Sequence, residues 1–233
     1  AGNGPCMRTA IIGGVFRNDP SQRKCLTEAQ TKVTHRDPKA LIAANAVTEL
    51  AALLSTRSEP PTLGKVMFCL SYEVADVEWE GILARINEHH IAGSDLSCFL
   101  EAIGVEPGRG VSGYAYHTVP AVVFAGLLHH WDFRETVSAI LDAGGDADTT
   151  GAIAGALCGA YGGEGSIPRE WIEGVWEWPV TVAKIRNLGK ALEEGKELRI
   201  RPRWSPLLFV RNLVFLIIVL GHGFGRVRVW IQK

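Results

Sequence analysis

Apolar residues recur along this chain mostly at three- and four-residue spacings, the period of a helix and not of a strand. The clearest case follows Thr34-His35-Arg36-Asp37-Pro38, where Leu41, Ile42, Ala46, Leu50 and Leu53/Leu54 mark one face. Asp37 suits its N-cap and Pro38 its first helical position. Lys65–Tyr72, Asp76–His90 and Ser94–Ile103 predict three further helices, the second with Val77, Ile82, Leu83 and Ile86 as its apolar stripe. Val119–Trp131 predicts an apolar helix, and Asp132-Phe133-Arg134-Glu135 has the spacing of a capping box for a helix reaching Asp142. Ser166–Trp176, capped by Ser166 with Pro168 in its opening turn, and Val180–Glu194 complete the core series, with Trp171, Trp176 and Trp178 as packing residues. Ser55–Gly64 reads as a loop by its prolines, and Gly104–Thr118 as an irregular loop by its glycines. No series of alternating strands appears, so the expected fold class is all-α.

The most informative stretch is Leu141–Gly163, LDAGGDADTTGAIAGALCGAYGG. Gly151, Gly155 and Gly159 stand four apart on one helical face. A helical glycine costs about 1 kcal/mol relative to alanine, so three cost roughly 3 kcal/mol. That is tolerable where another backbone packs very closely, and it predicts a central helix. A membrane GxxxG helix is the competing explanation, but the apolar run falls short of the ~20 residues a span needs. At its start, behind Gly144-Gly145, stand Asp146, Asp148, Thr149 and Thr150. Hard oxygen ligands of this kind suit Mg²⁺, Mn²⁺ or Ca²⁺. One carboxylate there would be explained by helix capping. Two, with an adjacent threonine and a preceding Gly-Gly, favour a metal.

Other candidates are weaker taken singly. Gly2-Asn3-Gly4 lets backbone N–H groups converge into an anion-binding nest, or makes a plain turn. It is no dinucleotide fingerprint, because GxGxxG fails at Met7. His35 sits just before a helix cap, facing either a cleft or solvent. Tyr114, in a glycine-rich loop, stacks on a ligand ring or plugs the loop onto the core. Ser112 is no nucleophile elbow, since GxSxG would need glycine where Tyr114 stands. The adjacent pairs His89-His90 and His129-His130 point about 100° apart on a helix and make poor chelates.

Composition narrows the classes. At 233 residues the chain has ample core for one large domain or two small ones. A net charge of −1 and a pI near 6.7 exclude a generally basic nucleic-acid binder, though not a nucleotide ligand. Five scattered cysteines without CxxC argue against a disulfide framework or a zinc site and make a reducing cytosol the default. No signal peptide is visible, and a start at Ala1 reads as a piece of a longer protein. From Leu198 onward the character changes: Arg199, Arg201, Arg203, Arg211, Arg226, Arg228 and Lys233 are basic and no acid appears. Within this extension Leu213–Leu220 is wholly apolar, a strand, a docked helix or an interfacial membrane segment. Residues 1–197 are therefore expected as one helical domain and 198–233 as an extension.

Taken together, GNGPCMR at the start, THRDP, SGYAYHT and GGDADTTGAIAGALCGAYGG, in this order, resemble the ADP-ribosylglycohydrolase family. The resemblance covers most of Gly2 to Gly163. It implies an all-helical hydrolase with two metal ions, Mg²⁺ or Mn²⁺, that removes ADP-ribose from modified protein side chains or small molecules. By position, Asp146, Asp148 and Thr149 match the family's C-terminal metal ligands. Gly2, Asn3 and Gly4 match the loop that cradles the diphosphate and neighbouring ribose, His35 a residue on the ribose side, and Gly113 and Tyr114 the loop near the adenosine end. Met7 and Arg8 belong to the motif as structural residues. The family's remaining ligands, a Thr-Asp-Asp run, and its acidic catalytic residue lie upstream of the GNG motif, so the catalytic residue is unknown in this chain. The resemblance also implies ADP-ribose conjugates as partners; a cytoplasmic location, a monomer and no nucleic-acid partner are expected beside it. The extension adds a possible membrane-surface or protein contact. A non-catalytic ADP-ribose binder or structural member on the same scaffold is the alternative.

Overall fold

The computed structural model describes residues 1–56, 58–71, 74–175, 180–196 and 206–231. Among these the secondary structure is helical: α1 (Cys6–Val15), α2 (Pro20–Lys32), α3 (Pro38–Leu54), α4 (Leu63–Ser71), α5 (Val77–Ile91) and α6 (Leu96–Ala102). Then follow α7 (Ala115–Leu128), α8 (Phe133–Asp142), α9 (Ala147–Gly162), a short 3₁₀ turn, α10 (Arg169–Gly174), α11 (Val182–Glu193) and α12 (Pro206–Ile231). No strand is present among the described residues, only two isolated bridges. The all-α expectation holds. The chain divides into two compact units, residues 1–187 and 188–233.

In the first unit α3 and α7 form the centre. Asp37 caps α3 by accepting from Lys39 N at 2.9 Å, with Pro38 first in the helix, as the local sequence predicts. α3 buries Ala43, Ala44, Ala46, Ala51 and Ala52, and such small side chains let neighbours approach. The closest approach is to α1 at Gly13, where a methyl group would stand 2.2 Å from Thr48 O. α7 is buried on nearly every face, and its Phe124 stacks on Phe99 of α6 with ring centroids 4.1 Å apart. α7 starts four residues before the predicted Val119 and carries Pro120 inside it; the helix ends at Leu128, ahead of Trp131. A left-handed pair, His130 and Trp131 (φ 52° and 61°), terminates that segment. Trp131, 1% exposed, lies flat on Gly126, where a methyl would meet its ring at 2.4 Å.

α2 has no counterpart in the apolar pattern because its buried side is polar. Arg23, Thr27 and Thr31, spaced at helical turns, face inward. Arg23 forms a bidentate pair with Glu49 (2.9 and 2.6 Å) and donates to Phe16 O and Arg17 O, and Thr27 bonds Thr48 at 2.9 Å. Such a charge-assisted fork fixes geometry where an apolar stripe would only exclude water. The helix is legible only through its partners.

Two further expectations are corrected. The glycine face of α9 is not met by another backbone: methyls at Gly155 and Gly159 would reach the Phe133 ring at 3.5 and 4.0 Å, and one at Gly151 would reach Leu141 at 3.1 Å. α9's fully buried side is Thr150, Ile153, Ala154, Leu157 and Cys158. Ser166 does not cap the next helix; it closes the 3₁₀ turn by donating to Gly163 O, and Pro168 holds the cap position of α10. Trp171 packs edge-on to Phe133 at 6.0 Å, whereas Trp176 and Trp178 lie outside the described residues. In the second unit, Leu213–Leu220 is helical, part of α12, and not a strand. Tyr72, Leu198, Arg199, Arg201, Arg203 and Lys233 also fall outside the described residues. No helix among the described residues is long and apolar enough to cross a membrane.

Candidate active site

Three loops and one helix start meet through backbone pairing. Asn3 N donates to Gly113 O and Ala115 N to Ala1 O, each at 3.0 Å, around an antiparallel bridge between Gly2 and Tyr114. Val111 N donates to Gly144 O at 3.0 Å and Asp146 N to Val111 O at 2.7 Å, a parallel bridge that ties the glycine-rich loop to the start of α9. This second clip requires glycine on both sides. A methyl on Gly110 (φ 73°) would sit 2.3 Å from Gly144 C, and one on Gly145 (φ 84°) 2.2 Å from Val111 O. Backbone atoms cannot yield at such distances, and the left-handed conformation independently disfavours any side chain. The glycine pair noted before Asp146 is thus the device that brings it to the loop.

Asp146 occupies the N-cap position of α9, where its carboxylate makes no regular cap hydrogen bond, although the Thr149 amide and hydroxyl lie near enough to favour its charge. It accepts from Asn3 Nδ2 at 2.7 Å. Asn3, 7% exposed, also donates to Thr118 Oγ1 of α7 at 2.9 Å, which locks the amide's orientation. The Asn3 amide is the main reason the Asp146 carboxyl lies below its ordinary pKa; Asp148 and Thr149 add to the lowering and partial burial opposes it. Asp148 is exposed and accepts from Thr149 N at 2.9 Å; Thr149 is half-buried. Asp146, Asp148 and Thr149 thus share one helix start, two carboxylates and a hydroxyl, a hard donor set suited to Mg²⁺ or Mn²⁺. Among the described residues no group of three His, Cys, Asp or Glu could hold a metal ion. The donor set fits a divalent ion in character and is short of a full coordination sphere.

The substrate-side candidates gather at the same place. A methyl on Gly2 would lie 2.7 Å from His35 Nε2 and one on Gly4 3.1 Å from His35 Cε1, so the imidazole rests against the GNG turn. Thr34 Oγ1 bonds His35 Nδ1 at 2.9 Å and accepts from Arg8 Nη2 at 2.8 Å, so Arg8 orients His35 through Thr34. Of the amides expected to converge on an anion, that of Asn3 is already paired with Gly113. Gly113 is exposed, and a methyl on it would press on Asp146 Oδ2 at 3.3 Å.

Tyr114 is anchored at its far end. Its hydroxyl donates to Glu78 Oε1 at 2.6 Å, and Glu78 in turn is ion-paired with Lys39. Bonding to Lys39 first, then to Tyr114, lowers the Glu78 pKa, while Lys39 is raised by the same pair. The ring edge meets His117 at 5.1 Å, and His117 Nδ1 bonds Ser112 Oγ at 3.0 Å. Half-burial holds His117 below its ordinary pKa, against the pull of Glu78. Beside Tyr114 a cavity of about 300 Å³ is lined by Glu78, Gly81, Ile82, Arg85, Ile103 and His117. A larger one, about 440 Å³, lies among α6, the loop after it and the end of α8, and holds none of the candidate residues. Glu78, Lys39, His117 and Thr118 were not singled out from the sequence. The one available signal was the histidine and threonine of SGYAYHT, since pairs separated by 36 to 115 positions leave no local trace.

The sequence model of the ADP-ribosylglycohydrolase family matches residues 1–201, and the chain belongs to that family. Among curated relatives, an uncharacterized protein of Archaeoglobus fulgidus is 30% identical over 173 residues, covering 74% of this chain and 52% of the relative. The ADP-ribosyl-[dinitrogen reductase] glycohydrolase of Rhodospirillum rubrum is 27% identical over 181 residues, covering 74% of this chain and 50% of the relative. The chain spans about half the length of the curated relatives it matches.

Proposed function

We propose that this chain forms part of a metal-dependent hydrolase that cleaves the glycosidic bond of ADP-ribose conjugates, releasing ADP-ribose from a modified protein side chain or small molecule. The observation that carries the reading is the Asp146 carboxylate, held by buried Asn3 close beside the exposed Gly113 and next to Asp148 and Thr149. In the proposed roles, Asp146, Asp148 and Thr149 hold Mg²⁺ or Mn²⁺ from one side of a two-ion site. Ions held there would supply Lewis-acid polarisation of ribose hydroxyls and water. The GNG turn and His35 receive the diphosphate and ribose, and Tyr114 with Gly113 the adenosine end. Asn3 keeps Asp146 ionised and aimed. Cleavage at the anomeric carbon passes through an oxocarbenium-like state, which rewards negative charge held nearby. The test is ADP-ribose release from arginine-linked, serine-linked and small-molecule conjugates with Mg²⁺ or Mn²⁺. Release from one class, reduced at least about 100-fold in Asp146→Asn, is expected.

A second reading is favoured by one observation: the absence, among the described residues, of a three-ligand cluster of His, Cys, Asp or Glu. It is a non-catalytic ADP-ribose binder or structural member. Calorimetric binding of ADP-ribose without turnover of any conjugate would establish the binder, and neither binding nor turnover the structural member.

A further inference from the structure

α12 carries chemistry that the loop cluster does not use. From Leu198 to Lys233 the sequence has seven Lys or Arg residues and no Asp or Glu. Arg211, Arg226 and Arg228 fall within α12, and between them runs Leu213–Leu220. Its side chains are about half exposed or more, Ile217 reaching 62%, and Phe209 one turn earlier 73%. Helical register sorts these positions. Phe209, Leu213, Leu216 and Leu220, spaced four, three and four apart, fall along one side. Arg211, His222 and Arg226, spaced eleven and four apart, fall along another, which Phe215 and Ile218 share. Trp204 and Trp230 flank the segment in sequence, residue types that favour the boundary between water and lipid.

We infer that α12 is an interfacial anchor for an anionic bilayer, its Phe209–Leu220 side set into the headgroup–acyl boundary and its arginines on the lipid phosphates. An acidic protein surface would match the arginines but not the apolar run, and a nucleic acid likewise. An anionic bilayer surface matches both at once. A spanning helix is disfavoured by length. The uncharged stretch between Arg211 and Arg226, residues 212–225, rises about 21 Å against a hydrocarbon core of about 30 Å.

Co-sedimentation of the full chain with vesicles tests this, independently of any ADP-ribose turnover. The probe is phosphatidylcholine containing about 30 mol % phosphatidylserine. Binding is expected there, weakened at least about tenfold on pure phosphatidylcholine or in high salt. Leu216→Glu with Leu220→Glu is expected to abolish it, and Arg211→Glu with Arg226→Glu to weaken it about tenfold or more. Circular dichroism and the thermal midpoint check that each variant is folded, and the milder Leu216→Ser stands in should the first pair disturb the helix. Equal binding to neutral vesicles, or binding that survives both pairs, would overturn the inference. So would a lipid-free dimer dissociated by Leu216→Glu without vesicle binding, which would make a second copy the occupant. Retention after alkaline carbonate washing would replace the interfacial anchor with a spanning helix.

Discussion

Two sets of glycines in this molecule do opposite things. Gly151, Gly155 and Gly159 form a regular face on α9, the pattern that catches the eye in sequence, yet around them lie only side chains, the Phe133 ring at ordinary contact distance and the Leu141 end more tightly at 3.1 Å. Gly110 and Gly145 sit in irregular loops with nothing periodic about them, and there a single added carbon would strike backbone at 2.2–2.3 Å. Gly13, unremarked on α1, behaves like the loop pair against α3. Spacing alone does not tell which glycines are required. What counts is whether the neighbouring atom can move, and backbone cannot.

The comparison breaks most sharply at the clip. Gly145→Ala combines backbone collision with a left-handed φ and is expected to cost about 3 kcal/mol or more in chemical denaturation, with loss of any activity. Gly126→Ala presses on a ring that can shift only against a packed core. A loss of about 1–3 kcal/mol is expected, with a change in tryptophan emission from Trp131. Asn3→Ala leaves the Asp146 carboxylate without its Asn3 donor and Thr118 with Ser112 O as its remaining bond. About 1–3 kcal/mol should be lost in urea unfolding, and divalent-ion binding measured calorimetrically should weaken. On α9 the sign reverses. Gly155→Ala meets only the Phe133 ring at 3.5 Å, so the protein should gain about 0.5–1 kcal/mol by the thermal midpoint. A loss of several kcal/mol there would erase the distinction.

The smallest effect concerns pH. His117 is held below its ordinary pKa chiefly by burial. The unfolded chain therefore binds its proton more readily, and the stability tied to neutral His117 is complete above about pH 6.5 and lost as pH falls toward the folded value. His117→Gln should flatten that part of the urea-midpoint profile between about pH 5 and 7.

Helix identity was legible wherever an apolar stripe met a local cap: Asp37 before α3, Asp76 before α5, and Asp132 before α8, each accepting from an amide two or three residues on. α2 was not legible, because Arg23, Thr27 and Thr31 are buried by partners on α3 and in the preceding loop. The end of α7 was misplaced because Trp131 continues the apolar run while its left-handed backbone has already left the helix. In the candidate site, Asp146, Asp148 and Thr149 announced themselves by proximity in sequence. Glu78 and Lys39 behind Tyr114, and Thr118 behind Asn3, did not.

The sequence by itself determined an all-helical chain, its family motifs in order, and a pair of aspartates with a threonine at the start of α9, since caps, periods and motifs are local or ordered along the chain. Only the tertiary structure decided that the Asp146 carboxylate accepts from Asn3, and that Gly110 and Gly145 are the glycines the site cannot lose. Both depend on which atoms from distant segments occupy the same few ångströms, and no spacing along one chain encodes that.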